Sequence, residues 1–139
     1  MTQRATIRTR VIAELEPLGA TVLRTLLRPI RIDQLPARVV ESVIDERDDG
    51  EDDDSSVARR RLTIAVTHAI TAGVDDPQGE LEDAIEETIA ALLADPTLGG
   101  AAIWTQEGTT EWGVDEREHI TALARVELEI MYQSARDAV

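Results

Sequence analysis

The residues that could carry out chemistry in this chain are few in type, although carboxylates are abundant. The sequence holds two histidines, no cysteine, and 28 aspartates and glutamates among 139 residues. Without cysteine there is no disulfide and no thiolate ligand for a metal. No serine lies in a nucleophile-elbow pattern, and no glycine-rich loop is present to cradle a phosphate. Because acids are so numerous, two carboxylates near each other are expected by chance and do not indicate a catalytic pair. We therefore expect no enzyme activity, no cofactor and no metal site.

The densest acidic run, residues 45–56, fits a calcium-binding loop poorly. If Asp45 takes the first position, Arg47 falls at a ligand position, and Ser56 stands where a glutamate must close the site. The pattern fits better with a solvated, flexible hairpin loop, which is the interpretation we prefer.

Two other groups of residues are candidates for a subunit or partner interface. Arg59, Arg60 and Arg61 follow the acidic run, and they either balance its charge or contact an acidic partner. Trp104 and Trp112 lie on either side of a predicted turn. They either pair across two strands or, if the hairpin protrudes, anchor a partner surface.

Hydrophobic periodicity predicts the elements that position these residues. The central element is an acidic amphipathic helix that begins near Asp75 or Asp76 as cap, has Pro77 in its first turn, and ends at the segment 95–100. The other predicted elements, in chain order, are a helix at 2–16, strands at 21–27, 37–45 and 61–71, a hairpin at 103–114 turning near Gly108, and a strand at 120–132.

These elements predict one α+β domain over residues 1–139. It contains a mostly antiparallel sheet of about four strands plus a hairpin, packed by two helices on one face. His68 falls in the apolar register of the strand at 61–71, which favours a partly buried structural role over a catalytic one. His119 lies in a charged connector and is expected to be an exposed polar residue.

The charge balance limits the classes of partner. The net charge is −14, and every basic residue is an arginine. Such acidity argues against binding to a nucleic-acid backbone, which needs a basic patch. A lysine-free acidic surface is typical of proteins that work in salty cytoplasm, so we predict a halophilic source. The sequence shows neither a signal peptide nor a membrane-spanning segment.

The order of elements and one motif resemble a known family, the tail terminators (minor tail protein U-like, or tail-completion, proteins) of long-tailed phages and related archaeal viruses. The likeness spans nearly the whole chain. It is carried by the strand 61–71 leading through Asp75-Asp76-Pro77 into the helix, and by a closing strand that includes Glu127, Glu129, Ile130 and Tyr132. The most specific part is the end of the helix, with Asp95, Thr97, Leu98, Gly99 and Gly100.

The resemblance implies a structural virion protein. Its members form a ring, commonly of six copies, that caps the head-proximal end of the tail tube, stops its polymerisation and joins the tail to the neck. The implied partners are further copies of the chain, the tail tube protein and the head–tail connector proteins. DNA would pass through the lumen without specific binding, and no membrane is involved. The implied location is the virion tail, after assembly in the host cytoplasm.

Two alternatives stay open. One is another head–tail connector component, a stopper or an adaptor. The other, from a different class, is an acidic inhibitor that mimics DNA and occupies a nucleic-acid-binding enzyme.

Overall fold

The computed structural model describes residues 2–24, 29–47, 57–116 and 120–135. Its elements, in chain order, are helix α1 (Gln3–Leu15), a 3₁₀ turn (Glu16–Leu18), β1 (Thr21–Leu23), a 3₁₀ turn (Ile32–Gln34), β2 (Ala37–Arg47), β3 (Val57–Thr71), helix α2 (Pro77–Leu93), β4 (Trp104–Asp115) and β5 (Thr121–Ala135). None of the described helices is long and apolar enough to span a membrane.

The five strands form one mixed sheet in the order β1-β2-β3-β5-β4. The short β1 pairs parallel with β2, and every other neighbouring pair is antiparallel. The two longest strands, β3 and β5, pair along their whole length from Val57 with Ala135 to Thr71 with Thr121. The predicted α+β class is therefore confirmed, with a mostly antiparallel sheet of five strands.

Local capping explains where both helices begin. The Thr2 hydroxyl accepts a hydrogen bond from the backbone N–H of Ala5 at 3.2 Å, which satisfies one of the free donors in the first turn of α1. Asp76 does the same for α2 by accepting from the N–H of Gly79 at 3.1 Å. Pro77 occupies the first helical position, where no N–H is needed. The predicted bounds of both helices are confirmed to within about two residues.

Both helices pack on the same face of the sheet. The core between them is aliphatic, and Tyr132 is the one aromatic side chain among its described members. Alternate residues of β3 and β5, such as Ile64, Val66 and Leu128, point into it and are fully buried. On the other face, a smaller cluster of Ile30 with Ala37, Val39 and Ala69 covers one end of the sheet. The rest of that face carries no helix among the described residues.

The predicted hairpin at 103–114 is wrong, because these residues form the single outer strand β4. Gly108, the predicted turn residue, lies instead at an irregularity where the register with β5 shifts between Glu107 and Thr110. A Cβ atom on Gly108 would stand 3.1 Å from the carbonyl oxygen of Glu127. Gly108 thus permits a close approach between two strands rather than a reversal of the chain.

Several predicted strand ends also need correction. β1 ends at Leu23 rather than at residue 27, and residues 25–28 lie outside the described part of the chain. β2 continues through Arg47, because its last residues pair with β3 as far as Arg60. The acidic run thus begins within a strand. Its remainder, residues 48–56, lies outside the described residues, as does His119.

Candidate functional site

The two tryptophans lie on one strand, so the predicted cross-strand pair does not form. Trp104 stands opposite Met131, and Trp112 stands opposite Ala124. Residues directly opposite each other share a face of the sheet. Because the register shifts between them, Trp104 lies on the helix-free face and Trp112 on the face that carries the helices. Trp104 is half-buried, whereas the side chain of Trp112 is 48% exposed.

A small apolar surface surrounds Trp112 at the outer edge of the sheet. Val114 is 60% exposed and stands opposite Ala122, so it shares a face with Trp112. Ile120, two residues before Ala122, is 57% exposed. We call these three residues the Trp112 patch. The outward edge of β4 pairs with no strand in the described part of the chain, so open backbone groups lie beside exposed apolar side chains. Both features are typical of a surface that receives a partner.

The three consecutive arginines do not form one basic surface. Arg59, Arg60 and Arg61 stand opposite Gln133, Tyr132 and Met131, so alternate members point to opposite faces of the sheet. The guanidinium of Arg60 lies with its Nε 3.3 Å from Oδ1 of Asp45. Arg60 is therefore engaged by an acid of β2, and Arg59 and Arg61 lie on the other face.

Asp45 is the centre of a polar cluster at this end of the sheet. Its carboxylate accepts hydrogen bonds from Nη1 of Arg4 at 3.2 Å, from Nε of Arg60 at 3.3 Å, and from the hydroxyl of Tyr132 at 2.8 Å. Burial raises the pKa of Tyr132 to about 12, and the hydrogen bond to Asp45 and its negative charge act in the same direction. Tyr132 thus remains a protonated donor, and the cluster joins α1, β2, β3 and β5.

A groove lies beside this cluster, between the start of α1 and the outer edge of β2. Its volume is about 370 Å³, and Arg4, Arg8, Val43 and Ile44 are among its lining residues. Val43 and Ile44 are 42% and 49% exposed, and they lie where the register of β2 with β3 shifts. The guanidinium of Arg8 donates to the carbonyl oxygens of Val40 at 3.0 Å and Arg24 at 2.8 Å. We call this feature the β2 groove.

A buried polar network holds α2 on the sheet, and the sequence reasoning missed it except for His68. Arg38, His68 and Thr88 are each at most 3% exposed. Nδ1 of His68 lies 3.1 Å from the carbonyl oxygen of Ala124, which can only accept, so Nδ1 carries the proton. Nε2 then accepts from the Thr88 hydroxyl at 2.6 Å, and that oxygen accepts from Nε of Arg38 at 2.9 Å. Every group in the chain of bonds is satisfied in one proton arrangement.

The environment of His68 fixes its charge. Burial lowers its pKa to about 4, the hydrogen bond to Ala124 opposes that shift, and the positive charge of Arg38 adds to it. His68 is thus neutral at pH 7, and both of its ring nitrogens are hydrogen-bonded within the fold. A partial signal for the network was present in the sequence, since His68 and Thr88 each interrupt the inward-facing apolar register of β3 and α2.

A cleft of about 350 Å³ opens beside this network, and its rim includes Glu80, Asp83 and Glu87 of α2. Arg38, which lines this cleft, donates hydrogen bonds to Thr88, to the carbonyl oxygen of Ala84 at 3.2 Å and to Glu87 at 3.3 Å. Burial lowers the pKa of Arg38, while the charge of Glu87 opposes the shift. The arrangement fixes α2 against β2.

The segment 95–100, which carries the family resemblance, is a tightly bonded turn. The carboxylate of Asp95 accepts from the Thr97 hydroxyl at 2.6 Å and from the N–H groups of Thr97 at 3.1 Å and Gly99 at 2.8 Å. The Thr97 hydroxyl bond, followed by the Gly99 and Thr97 N–H bonds, lowers the pKa of Asp95. Leu98, Gly99 and Gly100 have φ angles of 49°, 70° and 91°. All three residues lie in the left-handed region, which glycine adopts without strain, and Leu98 is buried in the core. The motif therefore serves the connection from α2 to β4.

No metal site is present among the described residues, since no three of their histidines, aspartates and glutamates lie close enough together to hold an ion. Most of the acidic run at 45–56 falls outside the described residues. Its first member, Asp45, is bonded to Arg4, Arg60 and Tyr132.

Comparisons with known proteins assign this chain to no family. No family model matches the sequence, and no curated protein matches it. The solved structure of an Akkermansia muciniphila protein, described as being without its transmembrane region, aligns at 10% identity with a TM-score of 0.31. The alignment covers 94% of this chain and 81% of that chain. A TM-score this low carries no argument about fold or function.

Proposed function

We propose that this chain is a structural assembly protein that closes into a ring, and that the ring acts as a tail terminator on the head-proximal end of a viral tail tube. The observation that carries this proposal is the outer strand β4. It is 12 residues long, has no partner on its outward edge among the described strands, and bears the exposed Trp112 patch. A monomer that leaves a long strand edge open beside exposed apolar residues is prone to pair with another chain.

The polar groups of the described residues support an assembly role over a catalytic one. His68 is buried and neutral, Arg38 is bonded to its neighbours, and Asp95 is committed to its own turn. The hydrogen bonds of these groups are used to hold α2 and the 95–100 turn in place. In such a protein, the shape and edges of the domain are what act on a partner.

The acidity of the chain suits a ring that encircles DNA. With a net charge of −14, each copy repels phosphate, so DNA can move through a lumen without binding to its wall. The partners in this proposal are further copies of the chain, the tail tube protein and the connector proteins of the neck. The same charge would make closure of the ring favourable only where salt screens the repulsion between copies.

Light scattering after gel filtration tests the ring directly. The chain is measured in dilute buffer and in molar potassium chloride, and we expect particles of several times the 15.3 kDa subunit mass in high salt, with six copies as the expected number. Negative-stain images of that fraction are expected to show a closed ring with a central hole. A monomer at every salt concentration would contradict the proposal and would favour the DNA-mimicking inhibitor.

The terminator role needs a second measurement. Polymerising tail tube protein is mixed with the assembled fraction, and we expect the mean tube length to fall and the ring to be seen at one tube end. Tubes of unchanged length with no cap, in the presence of a ring, would reject the terminator role while leaving ring formation standing.

A further inference from the structure

We propose that the copies join head to tail through one continuous β-sheet, with β4 of one copy adding to the open edge of β2 in the next copy and the Trp112 patch seated at the β2 groove. This inference rests on the proposed ring and names its contact. The occupant of the groove is a second copy of this chain.

Both edges that this contact needs are open in the described part of the chain. β1 covers β2 only at residues 37–39, so residues 42–47 have no strand on their outer side. β4 lies at the opposite end of the strand order and also lacks an outer neighbour. Two different surfaces on opposite sides of one domain give a heterologous contact, and repetition of such a contact closes into a ring when the rotation between copies allows it.

The strand directions are compatible with this pairing. β2 and β5 are each antiparallel to β3, so they run in the same direction, and β4 is antiparallel to β5. Within one chain, β4 therefore runs opposite to β2. A neighbour in the same orientation presents its β4 as an antiparallel partner, which forms the slightly more stable ladder, and its helices stay on the same face.

The side chains at the two edges are complementary. The β2 groove carries the arginines Arg4 and Arg8 beside the exposed apolar Val43 and Ile44. On the face that carries the helices, β4 presents the apolar Trp112 and Val114 together with the exposed Glu107, and neither lysine nor arginine lies between positions 62 and 116. In this contact, the carboxylate of Glu107 lies on the same face as the arginines of α1, and Trp112 contacts the exposed apolar residues of the groove. A β4-to-β4 contact would instead bring glutamates against glutamates, which is unfavourable.

The test uses two variants of the full chain, each blocked on one surface. The edge variant is Trp112→Glu, and the groove variant combines Val43→Glu with Ile44→Glu. All three positions are exposed, so folding is expected to be preserved, and far-UV circular dichroism with a thermal melt checks it. Ile32→Glu makes the same chemical change at an exposed position outside both surfaces and is the matched control.

We expect each blocked variant alone to be a monomer in molar salt, with a dissociation constant raised about 100-fold, and Ile32→Glu to assemble as the wild type does. A mixture of the edge and groove variants has one intact edge and one intact groove left. It is therefore expected to form 1:1 dimers and nothing larger.

The outcomes separate this contact from the ring itself. A wild type that stays monomeric rejects the ring and this contact with it. A wild type that assembles while the groove variant still assembles rejects only the proposed contact, as does a mixture that gives no 1:1 dimer. A groove variant that dimerises alone would indicate a symmetric contact between two β4 strands.

Discussion

As the pH falls, we expect this protein to lose stability through protonation of His68 before the carboxylates of the chain become protonated. The pKa of the His68 imidazole is about 4 in the folded chain, against 6.5 for an exposed histidine. Between these values the unfolded chain binds a proton that the folded chain does not. Stability is therefore complete above pH 6.5 and is lost as the pH falls toward 4. From the two pKa values, the loss between pH 7 and pH 5 is about 2 kcal/mol.

The assay is urea unfolding followed by far-UV circular dichroism at pH 7, 6 and 5, in molar salt and at one protein concentration. His68→Gln replaces the imidazole with a neutral side chain that does not titrate. We expect this variant to be less stable than the wild type at pH 7 but to lose almost nothing between pH 7 and pH 5. His119→Gln removes the chain's other histidine and is the matched control, expected to keep the loss seen in the wild type.

Two results would refute this reasoning. One is an equal loss of stability in the wild type and in His68→Gln, which would place the titrating group elsewhere. The other is a wild type whose free energy of unfolding does not change between pH 7 and pH 5, which would mean that protonated His68 is tolerated in its buried position.

Further predictions follow from other contacts and from composition. Thr88→Val leaves two buried polar groups without a partner, so we expect a loss of about 3 kcal/mol in urea unfolding, whereas Thr88→Ser keeps the hydroxyl and loses about 1 kcal/mol. Tyr132 is the one tyrosine in the sequence. We expect its phenolate absorbance near 295 nm to emerge only around pH 12, and at lower pH in Asp45→Asn; emergence near pH 10 in the wild type would contradict the cluster. Gly100 has a φ of 91° with free space around it, so Gly100→Ala is expected to cost about 1 kcal/mol from backbone strain alone. A melting temperature that does not rise between dilute buffer and molar potassium chloride would reject a halophilic source.

Helices and the long strands could be predicted from the sequence, because their signals are local. Thr2 and Asp76 act as caps within three residues of their partners, and alternation along β3 and β5 separates the two faces of the sheet. Absence of cysteine and the excess of acid also follow from the sequence alone. The caps and the alternation depend on residues that are close together in the chain, so they can be read from the sequence.

The tertiary structure decided what the sequence left ambiguous. Gly108 fits a turn and a bulge equally well, and only the pairing of β4 with β5 selects the bulge and places Trp104 and Trp112 on opposite faces. Thr88 meets Arg38 across 50 residues of sequence and His68 across 20, so their network could not be read from spacing. Which strand edges stay open depends on the order β1-β2-β3-β5-β4, and that order is set by packing between segments far apart in the chain rather than by any one of them.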